Sequence, residues 1–264
     1  MFTVLTSGKA APGVTTSVWA LTLAWPRPLL VADCDLAGGD MAPGLLAGRT
    51  SADRGLLSWS AAARRGIPAG TAATMFAEHA AEIPEQADAW LIPGFTNATQ
   101  GHSFTEDTWQ RLADALQATP SVLGRDVLVD TGRLIGERGN WPVMHAADRI
   151  LLAVRPSVRS VHAAQDATTR LRHELGDLNK VTALVIGDGP YSASEVASAL
   201  HMPLAGILPY DRDAASVLSD GASVAIRKPL RRSALLKAAA ELAQQLTTAA
   251  QLELPAEAVA TVCG

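Results

Sequence analysis

The chain has 264 residues, 48% of them hydrophobic and 18% charged, with a formal net charge of −4. That length and balance allow one large domain with a substantial buried core and exclude general disorder. The net charge excludes a molecule that is basic throughout, although a local basic patch can still meet DNA.

The elements follow in chain order. Phe2–Leu5 is the first predicted strand, and the segment after it leads into a helix over Thr15–Trp25. Pro28–Ala32 reads as a second strand ending in Asp33-Cys34-Asp35. Residues 49–85 are the least patterned stretch and are expected to hold one or two Ala-rich helices. Strands are predicted at Ala89–Ile92 and Asp126–Val129, with a helix at Thr105–Gln117 between them. Further strands fall at Arg149–Val154, Val181–Ile186 and Leu204–Leu208, and helices at Ser157–Leu175 and Ser192–Leu200. Ser192 and Glu195 have the spacing of a capping box. Pro229 is expected to open a last helix whose apolar face holds Leu230, Leu235, Leu242 and Leu246.

Most of these strands are continuously apolar, as strands covered on both faces must be. Their alternation with helices predicts an α/β fold: a doubly wound, mainly parallel sheet with helices on both faces. Residues 1–250 read as a single domain and 251–264 as a C-terminal tail.

Two cysteines, Cys34 and Cys263, provide neither a disulfide framework nor paired metal-ligand spacing, so a reducing cytoplasm is the simplest location. The first residues lack the pattern of a signal peptide, and no apolar run approaches the ~20 residues of a membrane-spanning helix. The six histidines show no zinc-binding spacing, Ser157 and Ser160 lack a nucleophile elbow, and the tryptophans read as packing residues.

The segment Gly8-Lys9-Ala10-Ala11-Pro12-Gly13-Val14-Thr15-Thr16 lies between the first strand and the first helix. A strand–loop–helix junction can aim backbone N–H groups and the positive end of a helix at phosphates. Gly8 and Gly13 have the spacing of the G-x-x-x-x-G-K-[ST] loop, with Thr15 as its hydroxyl and Val14 where lysine is expected. Valine cannot donate hydrogen bonds or place positive charge against phosphates.

This loop resembles the deviant Walker A of the ParA/MinD family, roughly G-K-G-G-x-G-K-T-T. On that resemblance Lys9 falls on the signature lysine that reaches nucleotide across a dimer interface. Thr15 falls on the magnesium-binding hydroxyl, and Thr16 on the residue that helps hold the α-phosphate. Ala10 and Ala11 replace two glycines, and Val14 replaces the P-loop lysine.

Later motifs keep the family order. Asp33-Cys34-Asp35, with Asp40 beyond, resembles switch I; Asp35 would position an attacking or magnesium-bound water, and Asp40 would support the switch. Asp126-Val127-Leu128-Val129-Asp130-Thr131-Gly132 resembles Walker B and switch II, with Asp130 holding magnesium through water. Trp90-Leu91-Ile92-Pro93-Gly94 and Asp148 to Pro156 resemble further strands of the family. Ile207-Leu208-Pro209-Tyr210-Asp211 resembles the late loop that touches the base, and Gly187 and Asp188 stand where an Asn-Arg is often found.

The resemblance implies a nucleotide-responsive positioning or partner-recruitment protein, binding ATP (or ADP) and Mg2+ as a homodimer with weak or absent hydrolysis. Two alternatives follow from the altered loop: a pseudo-ATPase scaffold indifferent to nucleotide, and a slow ATPase in which Lys9 replaces the missing lysine. ParA-like relatives bind DNA without sequence preference through basic residues, which here would be Arg227, Lys228, Arg231 and Arg232. The tail after Leu246 carries Glu253 and Glu257 and no lysine or arginine, which argues against a direct membrane anchor.

Overall fold

The computed structural model describes residues 1–8, 13–47, 50, 51, 53–83, 86, 88–134, 139–220, 230 and 232–252. Strand β1 (Phe2–Ser7) is buried along its whole length and lies in the middle of an eight-stranded sheet. On one side it pairs in parallel with β5 (Asp126–Arg133), and on the other with β6 (Arg149–Val154). The remaining strands are β2 (Leu29–Asp33), β3 (Ala81–Glu82), β4 (Ala89–Ile92), β7 (Val181–Ile186) and β8 (Leu204–Leu208). Their order is β3-β4-β2-β5-β1-β6-β7-β8, parallel throughout except for the short antiparallel edge strand β3. This is the doubly wound sheet that the apolar runs predict.

Alternation of side chains along each strand feeds two cores. Phe2 and Val4 point into one, with Trp59, Trp109 and Leu112. Leu5 points into the other, with Val18, Trp19, Leu242 and Leu246. The first core is covered by α2 (Leu56–Ala62), α3 (Ala69–Thr74), α4 (Phe76–His79), α6 (Glu106–Leu123), α7 (Trp141–Ala146), α8 (Val158–Leu175) and α9 (Ala193–Leu200). The second is covered by α1 (Val14–Ala24), α10 (Arg212–Asp220) and α11 (Ala234–Leu252). A short helix, α5 (Ala98–His102), follows β4 and is capped by Asn97, whose side chain accepts from the Gln100 N–H.

Tertiary packing, rather than propensity, holds α1 in place. The helix opens on Val14, Thr15 and Thr16, a β-branched run that disfavours helix. It is buried at Val14, Ser17, Val18, Trp19, Ala20, Leu21 and Thr22. Fully burying Val18 and Leu21 contributes about 1.5–3 kcal/mol each.

Three local expectations are refined. Residues 49–85 contain three short helices, of which α2 and α4 meet through the stacked rings of Trp59 and Phe76, 5.2 Å apart. The predicted capping box forms in full: Ser192 accepts from Glu195 N–H, and the Glu195 carboxylate accepts from Ser192 N–H at 2.7 Å. A helix runs over Ala234–Leu252, and the Ser233 hydroxyl caps it by accepting from Leu236 N–H at 3.0 Å. Pro229 itself lies outside the described residues.

Candidate functional site

The parallel arrangement delivers the C-terminal ends of β1, β2 and β5 to one edge of the sheet, where clefts form in open α/β folds. A cleft of about 490 Å³ lies there, lined by Gly13, Val14, Thr15, Thr16, Asp35, Asp40, Pro43, Gly132, Arg133 and Ser219. The first helix, the acidic turn and the end of β5, distant in sequence, thus meet at one place.

Gly13 forms the N-cap of α1 in a left-handed conformation, φ 76°, and, being glycine, brings no side chain to cap the helix. Its carbonyl accepts from both the Ser17 N–H and the Ser17 hydroxyl, at 3.0 and 2.9 Å. The first turn of a helix carries backbone N–H groups without intrahelical partners, and Gly13 to Thr16 line the cleft, which suits an anion. Val14 is buried and brings only methyl groups to the lining. The Thr16 hydroxyl reaches the Ser219 hydroxyl of α10 at 3.5 Å. Gly8 is pressed against α8, since a Cβ there would stand 2.4 Å from the Ala163 carbonyl oxygen. Lys9, Ala10, Ala11 and Pro12 lie outside the described residues.

Asp35 and Asp40 line the cleft, and two further carboxylates are buried near them at the strand ends. Asp33 and Asp130 are register partners at the ends of β2 and β5, and both are buried. Asp33 shapes the acidic turn: its Oδ2 accepts from Met41 N–H at 3.2 Å, and its Oδ1 from Asp35 N–H at 3.4 Å. Gly39 and Gly94 make room for it, because a Cβ on Gly39 would sit 2.2 Å from Oδ2 and one on Gly94 2.4 Å from the Asp33 carbonyl oxygen. Burial pushes its carboxyl well above the usual range, and the neighbouring Asp130 pushes it further.

Asp130 is raised to about 7, first by desolvation, against the lowering influence of the Thr15 side chain and the Gly132 N–H. Oδ1 accepts from that N–H at 2.7 Å. Oδ2 is buried, and among the described residues no donor meets it with hydrogen-bond geometry. An orphaned buried carboxylate oxygen is costly and marks a place for a missing partner.

Asp35 is half-buried; desolvation raises it and Asp40 adds to the rise, while the Ala37 N–H and Arg133 lower it. Its carboxylate occupies the space beside Gly132, where a Cβ would stand 2.1 Å from Oδ2. With φ at +59°, Gly132 is a glycine on two counts, conformation and space. The next residue, Leu36, is clamped between α5 and the segment before α7: a Cβ on Gly139 would lie 2.6 Å from Leu36 Cδ1, and one on Gly101 3.0 Å from its carbonyl oxygen. Leu36 also lines a second cavity of about 980 Å³ with Phe104, Trp109 and Trp141.

The donor set fits a small hard cation. The Thr15 hydroxyl and the Asp35 and Asp130 carboxylates are oxygen donors of the kind a hard cation takes, directly or through water. Among the described residues no group of three or more His, Cys, Asp or Glu forms a protein-only metal cage. A cation here would therefore need oxygens from a ligand or from water, as magnesium at phosphates does.

The residues expected at the base stand apart from the cleft lining. Gly187 is left-handed, φ 77°, at the end of β7, and Asp188 beyond it is exposed. Pro209 follows β8, and Tyr210 is 59% exposed with its ring 6.0 Å from the Arg155 guanidinium carbon. Asp211 has a local duty, as its Oδ1 accepts from Ala214 N–H at 3.0 Å and caps α10. Of the basic cluster, Arg232 is exposed ahead of α11, while Arg227, Lys228 and Arg231 lie outside the described residues.

Arg133 and Ser219 are lining residues that sequence reasoning does not single out. The signal for Arg133 is its place one residue beyond Gly132; α10, which carries Ser219, has a detectable start in Asp211.

The architecture is that of the MinD and ParA P-loop ATPases. The chain is similar to the ParA family ATPase of Chlorobium tepidum TLS, with a TM-score of 0.71 and 16% identity over 91% of this chain and 98% of that one. It is similar to the MinC:MinD cell division protein complex of Aquifex aeolicus, with a TM-score of 0.70 and 16% identity over 94% and 96%. The septum site-determining protein MinD of Pyrococcus horikoshii OT3, complexed with Mg-ADP, gives a TM-score of 0.64 and 15% identity over 96% and 99%. No family model matches the chain, and no curated protein matches it either. At these identities the likeness shows a shared fold.

Proposed function

We propose that the chain is a ParA/MinD-like, nucleotide-responsive positioning or partner-recruitment protein that binds ATP or ADP with magnesium. The observation that carries this reading is the buried Asp130 carboxylate, whose Oδ2 meets no donor of good geometry among the described residues and which the Thr15 side chain faces, close to Asp35 and the head of α1. The Mg-ADP complex of the Pyrococcus horikoshii neighbour is in keeping with it.

Magnesium would be held by the Thr15 hydroxyl and, through water, by Asp35 and Asp130. Bound there, it would supply charge neutralisation at the phosphates. Gly13 to Thr16 would cradle phosphate through backbone N–H groups, and Thr16 would add a hydroxyl. Asp35 would orient a water, and Gly187, Asp188, Pro209, Tyr210 and Asp211 would lie toward the base. Val14 offers no hydrogen bond to a developing phosphate charge, so turnover is weak or absent. A homodimer would bring the two clefts face to face, with Lys9 reaching the partner's nucleotide, in a cytoplasmic setting. Calorimetry with ATP and magnesium tests the reading directly: saturable binding supports it, and no heat at millimolar ligand overturns it.

A nucleotide-independent scaffold is the second reading, favoured by the methyl groups that Val14 presents where charge is needed. It predicts self-association and partner binding unaffected by ATP. Contact with DNA through Arg227, Lys228, Arg231 and Arg232 would add a steep loss of affinity with salt.

A further inference from the structure

We propose that Arg133 is the phosphate-binding cation of this cleft, supplying from the end of β5 the charge that Val14 cannot supply from the head of α1. The inference rests on the nucleotide reading above and adds the residue that makes it electrostatically workable.

Both backbone neighbours of Arg133 are tied to the strand that feeds the phosphate loop. The Thr6 hydroxyl donates to the Gly132 carbonyl at 3.3 Å, and the Leu134 N–H donates to the Ser7 carbonyl at 2.9 Å. Arg133 itself is the register partner of Ser7, the residue before Gly8. The root of the side chain is therefore fixed beside the loop, while its exposed position leaves the guanidinium free to extend.

Charge decides the rest. The cleft lining carries Asp35 and Asp40, with Asp130 behind them, and among the described lining residues Arg133 is the one cation. A polyphosphate drawn to the N–H groups of α1 meets this acidic wall and is repelled unless a cation stands between them. Magnesium answers part of that repulsion, and Arg133 is placed to answer more. A guanidinium also offers a planar fork of donors that matches two phosphate oxygens, which the single ammonium of a P-loop lysine does not. The phosphate grip would thereby move from the loop to the end of β5.

Calorimetry on the full chain with ATP, ADP and adenosine in magnesium tests this. Arg133→Ala and the longer neutral Arg133→Gln should each weaken ATP binding at least tenfold while leaving adenosine binding unchanged. Arg133→Lys should recover part of the loss, and Arg170→Ala on α8 should leave every affinity unchanged. Melting without nucleotide should not move in whichever neutral variant is used for the comparison. Equal ATP affinity in the wild type and the neutral variants overturns the role of Arg133 and leaves the nucleotide reading standing. An equal loss for adenosine and ATP also overturns it, because the residue would then act on the base side or on the fold. Absence of ATP binding in the wild type overturns both proposals.

Discussion

The two walls of the cleft are made in different ways. The carboxylate wall is built into the core: Asp33 and Asp130 are buried register partners, and Gly39, Gly94 and Gly132 are spaces cut to fit carboxylates. The α1 wall has backbone N–H groups at its head, no side-chain cap and a valine in its lining. Packing thus fixes the groups suited to a cation, whereas among the described residues α1 offers phosphate its backbone and the Thr15 and Thr16 hydroxyls. The cation half and the phosphate half of the site can therefore be broken separately.

The largest effect is expected where the carboxylate wall is overfilled. Gly94→Ala would set a Cβ 2.4 Å from the Asp33 carbonyl oxygen, a backbone atom that cannot swing aside. A loss of about 3 kcal/mol is expected in urea unfolding. Gly66→Ala is the contrast: its φ of +87° is a strain that Gly94 does not carry, no atom lies within 4 Å of the added Cβ, and it should cost about 1 kcal/mol. Similar losses in both variants would show that the wall is not tightly built.

Next comes Asp130→Asn, which should cut the magnesium-dependent part of ATP affinity about tenfold to a hundredfold. Titration calorimetry with and without magnesium measures it, and an unchanged magnesium dependence would remove Asp130 from the cation site.

The same residue governs a pH effect in the metal-free chain. Folding raises the Asp130 carboxyl to about 7, so the folded state favours the proton. That contribution is fully present below an unfolded value of about 3.9 and is lost as pH rises through about 7. Asp33 is shifted in the same direction by burial. Metal-free protein should melt lower at about pH 8 than at about pH 6, and Asp130→Asn should shrink that difference. A melting temperature that falls equally in both proteins would assign the effect to other groups.

The smallest effect belongs to the phosphate wall. Thr16→Ala removes one neutral hydroxyl and should weaken ATP binding about fivefold, near 1 kcal/mol. A much larger loss would mean that α1 grips phosphate more firmly than its lining suggests.

The sheet was legible in the sequence because strands covered on both faces leave continuous apolar runs. Val181–Ile186 and Arg149–Val154 were marked to the residue for this reason. The end of β5 was harder, since Asp130 to Arg133 is polar yet still part of the strand. Asp35 and Asp130 stand out in the sequence through the resemblance of their segments to switch I and Walker B, and both lie near strand ends. The role of Asp33 does not, because Asp33 and Asp35 look alike until burial separates them. Short helices also escaped the reading. α7 is announced only by Pro142 near its start, and α10 only by Asp211 ahead of it. The start of α11 at Ala234 is set by the Ser233 hydroxyl, a cap signal that is not singled out in the sequence.

Leu36 gives the cleft a mechanical link to the other side of the acidic turn. It follows Asp35 directly, and its side chain is wedged between Gly101 and Gly139 at the wall of the cavity of about 980 Å³. Any ligand that draws Asp35 inward must pull on this wedge. The adjoining helices can then register, as a change in the shape of the cavity, what has happened among the carboxylates. The two glycines set the stiffness of that linkage, because a methyl group on either would jam it.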